Sequence, residues 1–319
     1  MSENPEITIE CNPGTITESK LWEYKKSGIN RISFGLQSAN DEELKSIGRI
    51  HNYAGFLESY NLARKCGFDN INVDLMSALP GQTLKSYEET LNKVVRLEPE
   101  HISAYSLIVE ENTLMYDRVK KAHIKGINIL PDEESERKMY YLTNNILRSN
   151  GYRKYEISNY SKPGKECKHN IGYWQRKEYL GFGIGAASLY KENRYNNISD
   201  INKYIEVLTN NIKENSINNV ENSSEVENQV NILNSIVKNL QQLTERDRME
   251  EFMFLGLRMM EGVSMEKFER YFGKPYMEVY GKVQKKMEDK RFLINDNGYV
   301  KLTEFGIDLS NYVMSEFLF

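Results

Sequence analysis

Four short apolar runs organise this chain: ITIECNP (7–13), RISFGLQS (31–38), INVDLMSALPGQ (71–82) and HISAYSLIVEENT (101–113). Each carries branched or aromatic residues up to one polar side chain and then a loop, the pattern of a buried β-strand. Amphipathic stretches separate them. TITESKLWEYKKSG predicts a helix opened by a Thr15/Glu18 capping box and closed by Gly28. ANDEELKSIG predicts a short helix ending at Gly48, and YAGFLESYNLARKCG one with Gly67 at its end. TLKSYEETLNKVVRLEP predicts another, stopped before Pro99. Asp132 is the expected cap of a helix running to about Ser149, with Met139, Leu142 and Ile146 on one face. Such alternation builds parallel strands around a barrel or open sheet, whose binding site forms at their C-terminal ends.

Beyond Ser149 the pattern changes. YRKYEISNYS and YLGFGIGAASLY, within 150–200, read as extra strands and loops. Ten asparagines lie between Thr209 and Leu240 with few apolar anchors, which predicts a linker or insertion over 201–245. Helical spacing resumes with Met249, Phe252, Met253, Leu257 and Met260; Ser264 opens a second helix and PYMEVYGKVQKKMEDK makes a third. FLINDNGYVKL then predicts a hairpin turning at Asn297-Gly298, with a last helix from Thr303. The expected division is 1–200, a barrel portion with following strands; 201–245, the Asn-rich segment; and 246–319, a small winged-helix-like domain.

Composition narrows the function. The 319 residues carry a formal net charge of −4, which gives no electrostatic case for nucleic acid or acidic membrane surfaces. KVQKKMEDKR is basic, but a single mixed-charge helix reads as a solvated face. No run of about 18 apolar residues predicts a membrane span, and MSENPEITIE lacks the regions of a signal peptide. Cys11, Cys66 and Cys167 are too scattered for a disulfide framework or a metal motif, which fits a reducing cytoplasm. A strand that begins within a few residues of Met1 has no preceding element to pair with, so the start of a larger domain is expected to be missing.

Candidate chemistry gathers at the strand ends. Glu10 ends the first run beside Pro13-Gly14 and can accept hydrogen bonds from an amine or a ribose hydroxyl; equally, it can cap the next helix. Gln37 offers a donor and an acceptor, and Arg49 a planar fork for a carboxylate. Asp74, between Val73 and Leu75, needs a buried partner if its role is structural. Together the four form a constellation suited to a zwitterionic, ribose-bearing molecule. PGQT (80–83) is a turn that folds over a ligand or simply precedes a helix. GFGIGAAS (181–188) has GxGxG rather than GxGxxG spacing and no clear following helix, so tight packing is the better reading than a dinucleotide site. In CKHNIGYWQRKEYLG, His169 stands near Tyr173 and Trp174; by spacing alone a loop histidine with aromatic packing fits better than a haem ligand. His101 reads as structural, His51 as either, and His123 as surface.

Taken together, IECNPGT, GINRISFGLQS, LKSIGRIH, INVDLMSALPGQT, PEHISAYSLIVEENT, YEISNYSKPGKECKHNIGYW, YLGFGIGAAS, EFMFLGLRMMEGVS and LTEFGIDLSN resemble the HemN-like radical SAM family, most closely its HemW-type haem chaperones. The resemblance implies an α/β fold: a partial (βα)6 TIM-like barrel, here missing its first strands, and a small α+β winged-helix-like C-terminal domain. It implies that Glu10, Gln37, Arg49 and Asp74 bind S-adenosylmethionine, and it raises His169, in the HNxxYW motif, to a haem ligand. The expected function is haem binding and delivery to an acceptor protein, which can be membrane-associated. The alternative is oxygen-independent coproporphyrinogen III oxidase, and a winged-helix nucleic-acid-binding protein is a more distant third. The family's CxxxCxxC motif for a [4Fe–4S] cluster has no counterpart in this sequence. The chain alone is therefore expected not to cleave S-adenosylmethionine reductively.

Overall fold

The computed structural model describes residues 4–217 and 235–319. The chain divides into two compact units. The first comprises Met1–Ile171, Arg258–Glu261 and Lys301–Leu309; the second comprises Gly172–Leu257, Gly262–Val300 and Ser310–Phe319.

In the first unit each apolar run becomes a strand: β1 (Thr8–Cys11), β2 (Arg31–Gln37), β3 (Ile71–Ser77) and β4 (His101–Ser106). Between them lie helices α1 (Glu18–Lys26), α2 (Asp41–Ser46), α3 (Tyr53–Lys65) and α4 (Leu84–Val95). The four strands are consecutive and parallel. After α5 (Leu114–Ile124) and α6 (Glu133–Ser149), a hairpin of β5 (Arg153–Glu156) and β6 (Asn159–Ser161) returns to the sheet, β6 running antiparallel to β4. The resulting order is β1-β2-β3-β4-β6-β5.

Period-two alternation divides the sheet into unlike faces. Ile32, Phe34 and Leu36 of β2, Ile71, Val73 and Leu75 of β3 and Ile102 of β4 are wholly buried, in one core with Phe56, Tyr60, Leu91 and Val94 of the helices. Burying a side chain of this size stabilises the fold by about 1.5–3 kcal/mol. The alternate residues, on the opposite face, are polar: Glu10, Arg31, Ser33, Asn72, Asp74, His101 and Ser103.

Helix ends follow local chemistry, with one shift from expectation. The N-cap of α1 is Thr17, whose hydroxyl accepts from Lys20 N; Thr15 instead donates to the Asn12 carbonyl at 2.7 Å. The predicted Thr15/Glu18 box therefore does not form, because the Asn12–Thr15 turn occupies that hydroxyl. Gly28, Gly48 and Gly67 close their helices at positive φ, and Asp132 caps α6 through Ser135 N. The PGQT turn leads into a capping box between Thr83 and Ser86.

In the second unit, β7 (Ala187–Tyr190), β8 (Asn193–Asn197) and β9 (Val237–Gln242) form an antiparallel sheet. The flanks of the predicted 201–245 linker are regular structure: a helix begins at Ile201, and β9 pairs with β8. The helix spans Ile201–Ile217. Ile201, Tyr204, Ile205 and Leu208 repeat at three- and four-residue spacing there, and this stripe is easily hidden by the asparagines around it. The rest of that segment, 218–234, lies outside the described residues. Helices Glu245–Gly256, Met265–Phe272 and Tyr276–Asp289 accompany a second sheet of β10 (Val263–Ser264), β11 (Leu293–Asp296) and β12 (Tyr299–Leu302), in the order β10-β12-β11. Asn297 and Gly298 both take positive φ, 52° and 83°, as a type I′ hairpin turn demands. Among the described residues, no helix is long and apolar enough to cross a membrane.

Candidate functional site

The polar face of β1–β4 carries the site. Strand register sets Glu10 beside Ser33, Ser33 beside Asn72, Gly35 beside Asp74, and Asp74 beside Ser103. At the end of β2 the register slips between Gly35 and Gln37, and Gln37 takes φ +71°. A left-handed backbone is uncommon for a residue with a side chain and costs of order 1–2 kcal/mol. The bend leaves the Gln37 side chain buried, its Oε1 accepting from the Tyr105 hydroxyl at 3.1 Å. Gly35 lies below: a Cβ there would come within 3.1 Å of Gln37 Nε2 and 3.6 Å of an Arg49 guanidinium nitrogen. The missing side chain leaves a recess where those two groups meet.

Arg49 reaches the site from the turn after α2, where Gly48 reverses the chain at φ +75°. Its guanidinium donates to Asn12 Oδ1 at 3.0 Å, at the end of β1. Asp74 stands in the middle of the polar face. Oδ1 accepts from Asn72 Nδ2 at 2.7 Å, and Oδ2 from Ser33 Oγ at 3.3 Å. Burial pushes its carboxyl above the usual carboxylate range against the pull of these donors, and the charge of Glu10 adds to the rise. The Tyr105 hydroxyl is raised first by burial and then by Asp74, and it also feels Arg49 and Glu10. Glu10, Gln37, Arg49 and Asp74 thus converge around one tyrosine. The set offers acceptors for an ammonium or hydroxyl, a fork for a carboxylate and an amide for a neutral polar edge.

Tyr105, Asn72, Ser33 and Ser103 belong to this site although sequence reasoning did not select them. The signal was available: positions 101, 103 and 105 share the parity that puts Asn72 and Asp74 on the polar face. His101, read as structural, is buried on that same face and held between Asn72 and Tyr155. The Leu36 carbonyl accepts from His51 Nε2 at 3.3 Å, which places His51 beside the site rather than in it. The PGQT glutamine, Gln82, turns away from the pocket and bonds the buried carboxylate of Glu43 at 2.9 Å.

His169 is the second residue of α7 (Lys168–Trp174) and is exposed. Glu6 holds the start of this helix by accepting from the backbone N–H groups of Lys168 and His169, at 3.2 and 3.3 Å. In the second unit the GFGIGAAS stretch is a largely exposed loop, with Phe182 87% exposed, that is held by hydrogen bonds and by a close backbone approach at Gly181. Asn197 Nδ2 donates to the carbonyls of Gly181 and Gly183, and a Cβ on Gly181 would lie 2.2 Å from the Ala187 carbonyl oxygen.

The three thiols do not fit a [4Fe–4S] cluster. All are buried, and burial pushes Cys11 up to about 11 and raises Cys66 and Cys167 as well, whereas iron takes the thiolate. Among the described residues, no group of three or more His, Cys, Asp or Glu side chains is arranged to hold a metal ion.

Comparison with known proteins agrees with this architecture. The radical SAM superfamily matches residues 1–94, and the HemN C-terminal domain matches residues 243–309. The heme chaperone HemW of Bacillus subtilis is 35% identical over 317 residues, covering 99% of this chain and 77% of that protein. HemW of Lactococcus lactis is 34% identical, covering 98% of this chain and 75% of its own. The structure of coproporphyrinogen III oxidase HemN from Escherichia coli, a radical SAM enzyme, superposes with a TM-score of 0.76 at 20% identity, covering 98% of this chain and 69% of that one. The fold is that of a radical SAM protein. Within that class, the chain belongs to the HemW family.

Proposed function

We propose that this chain is a haem chaperone of the HemW type that binds S-adenosylmethionine on the polar face of β1–β4 and haem through His169. The observation that carries the first half is the convergence of Glu10, Gln37, Arg49 and Asp74 around Tyr105, with the Gly35 recess between Gln37 and Arg49. Arg49 pairs the amino-acid carboxylate, while Glu10 and Asp74 accept from ammonium or ribose hydroxyls, and Gln37 meets a neutral edge. The residues of this chain bind and orient the molecule, and cluster ligation falls to none of them.

The second half rests on the exposed His169 in the HNIGYW segment and on the HemW relatives, whose name is heme chaperone. An exposed imidazole at the start of a helix leaves room for a macrocycle to approach. Delivery to an acceptor protein follows from the same reading.

Titration calorimetry with S-adenosylmethionine tests the pocket: Asp74→Asn and Arg49→Ala should each weaken binding by at least about tenfold, the loss of one charged contact. A Soret band on addition of haem, lost in His169→Ala, tests the haem site. Unchanged binding in these variants refutes the respective half. The likeness in fold to HemN favours a second reading, porphyrin oxidation; conversion of coproporphyrinogen rather than stable haem binding would support it.

A further inference from the structure

Behind Asp74 runs a continuous line of buried polar groups that none of the roles above uses. Asn72 Nδ2 donates to Asp74 Oδ1 at 2.7 Å and to Ser33 Oγ at 2.8 Å. Its Oδ1 accepts from His101 Nδ1 at 2.6 Å and from Ser103 Oγ at 3.2 Å. His101 Nε2 meets the Tyr155 hydroxyl at 2.8 Å, and that oxygen accepts from Cys167 N at 3.4 Å. Asn72 and His101 are almost wholly buried, at 2% and 0% exposure. Every donor and acceptor of the Asn72 amide is thereby used.

The chemistry of the line has a single consistent assignment. Asn72 must present its NH2 to Asp74, because a carboxylate can only accept. Its oxygen then faces His101, which must carry its proton on Nδ1. Nε2 is left as the acceptor, and the Tyr155 hydroxyl supplies the donor. Burial together with the nearby Arg31 holds the imidazole well below its usual range, hence neutral, so Nε2 carries no proton of its own.

We infer that Asn72, His101 and Tyr155 are positioning residues for Asp74: the tyrosine fixes the imidazole tautomer, the imidazole fixes the asparagine amide, and the amide keeps Asp74 ionised and aimed at the bound ligand. The inference rests on the proposed binding of S-adenosylmethionine at Asp74. It extends the site from the side chains that touch the ligand to three that do not. It also ties β3, β4 and β5 into the pocket's electrostatics, which accounts for so costly a set of polar residues inside a sheet.

The test is the pH dependence of S-adenosylmethionine binding to the full chain, read by calorimetry from pH 5.5 to 8.5. Binding should be strong above the titration of Asp74 and fall below it. Glu10 and Tyr105 face Asp74, with Arg49 next to Tyr105; Arg31 and Tyr155 face His101, with Cys167 next to Tyr155; all are unchanged among the variants except Tyr155 where it is mutated. His101→Leu removes the shorter of the two donors that hold the Asn72 oxygen and leaves only Ser103, so the amide can turn and withdraw its NH2 from Asp74. The midpoint should move up by about one pH unit, with a loss of affinity approaching about tenfold at pH values below the wild-type midpoint. His101→Asn puts an amide donor near the Nδ1 position and should return the midpoint to within about 0.3 unit. Tyr155→Phe, which keeps the ring and its packing, should shift the midpoint in the same direction by less. A His101→Leu midpoint equal to wild type, or His101→Asn as displaced as His101→Leu, overturns the inference. If His101→Leu does not fold, Tyr155→Phe with an unmoved midpoint overturns it alone. Asp74→Asn binding as tightly as wild type instead sinks the ligand assignment, whatever the His101 variants do.

Discussion

Glu43 offers a direct test of how the rim of the pocket is held. Its carboxylate is 4% exposed and accepts from Ser38 Oγ at 2.6 Å, Ser86 Oγ at 2.5 Å and Gln82 Nε2 at 2.9 Å. Ser38 follows Gln37, and Gln82 lies in the loop after β3. One buried carboxylate therefore pins the loops at the ends of two strands. Glu43→Ala removes the acceptor for three donors and opens a small void. A bond to a charged acceptor contributes about 1.5–3 kcal/mol, and an orphaned donor costs about 1–3 kcal/mol. The loss is softened because each donor has a second acceptor nearby: Ser86 the Thr83 carbonyl at 3.1 Å, Ser38 the Thr90 hydroxyl at 3.4 Å, and Gln82 the Met76 carbonyl at 3.3 Å. Relief of carboxylate desolvation offsets it further, leaving about 2–3 kcal/mol net. Glu43→Gln keeps the shape and one oxygen, and loses about 1 kcal/mol. For a unit of this size, thermal melts followed by circular dichroism should drop by about 5–10 °C for the alanine and about 2–4 °C for the glutamine. An alanine variant melting within about 2 °C of wild type, or a glutamine variant as unstable as the alanine, would refute the reasoning.

Further predictions concern the protein away from that rim. Lys154 Nζ donates to the Tyr140 hydroxyl at 2.5 Å and lies over the Tyr140 and Tyr160 rings, and burial lowers its pKa to about 8. From there up to its ordinary value near 10.5 the unfolded chain holds a proton that the folded chain has released, so rising pH favours folding. Urea midpoints at pH 7 and 9.5 should show wild type gaining about 1–2 kcal/mol relative to Lys154→Met; no relative gain rejects the lowered value. Gly181→Ala forces a methyl against the Ala187 carbonyl and should cost about 2–3 kcal/mol in a thermal melt. Gly183→Ala, at φ +93° with open space around the added carbon, should cost only the backbone strain of about 1 kcal/mol.

The barrel portion was legible because its strands are buried on one face and its helices carry their own stops: Gly28, Gly48, Gly67 and Pro99 all fall where elements end. Glu10 and Gln37 stood out at the ends of apolar runs, Asp74 as a polar residue inside one and Arg49 as a cation just after a short helix, and the structure brings the four together. What escaped was chemistry that needs neighbours. His101 looked like the opening residue of a strand because its partners, Asn72 and Tyr155, are 29 and 54 residues away. Helix α5 went unread because its apolar stripe, Met115, Val119 and Ala122, is short, and no residue of the helix is fully buried. Thr15 and Thr17 competed for one cap, and only the Asn12–Thr15 turn decides between them. The Ile201–Ile217 helix lay under an asparagine bias that composition alone reads as loop.

The backbone at Gln37 has a bearing on how this protein tolerates change. Glycine at that position would relax the φ of +71° and so favour the folded state, yet it would delete the amide that meets Tyr105. A library sorted only for thermal robustness would therefore drift toward glycine there and enrich sturdy molecules with a damaged pocket. Any search for hardier variants should hold Gln37 fixed or screen for ligand in the same round.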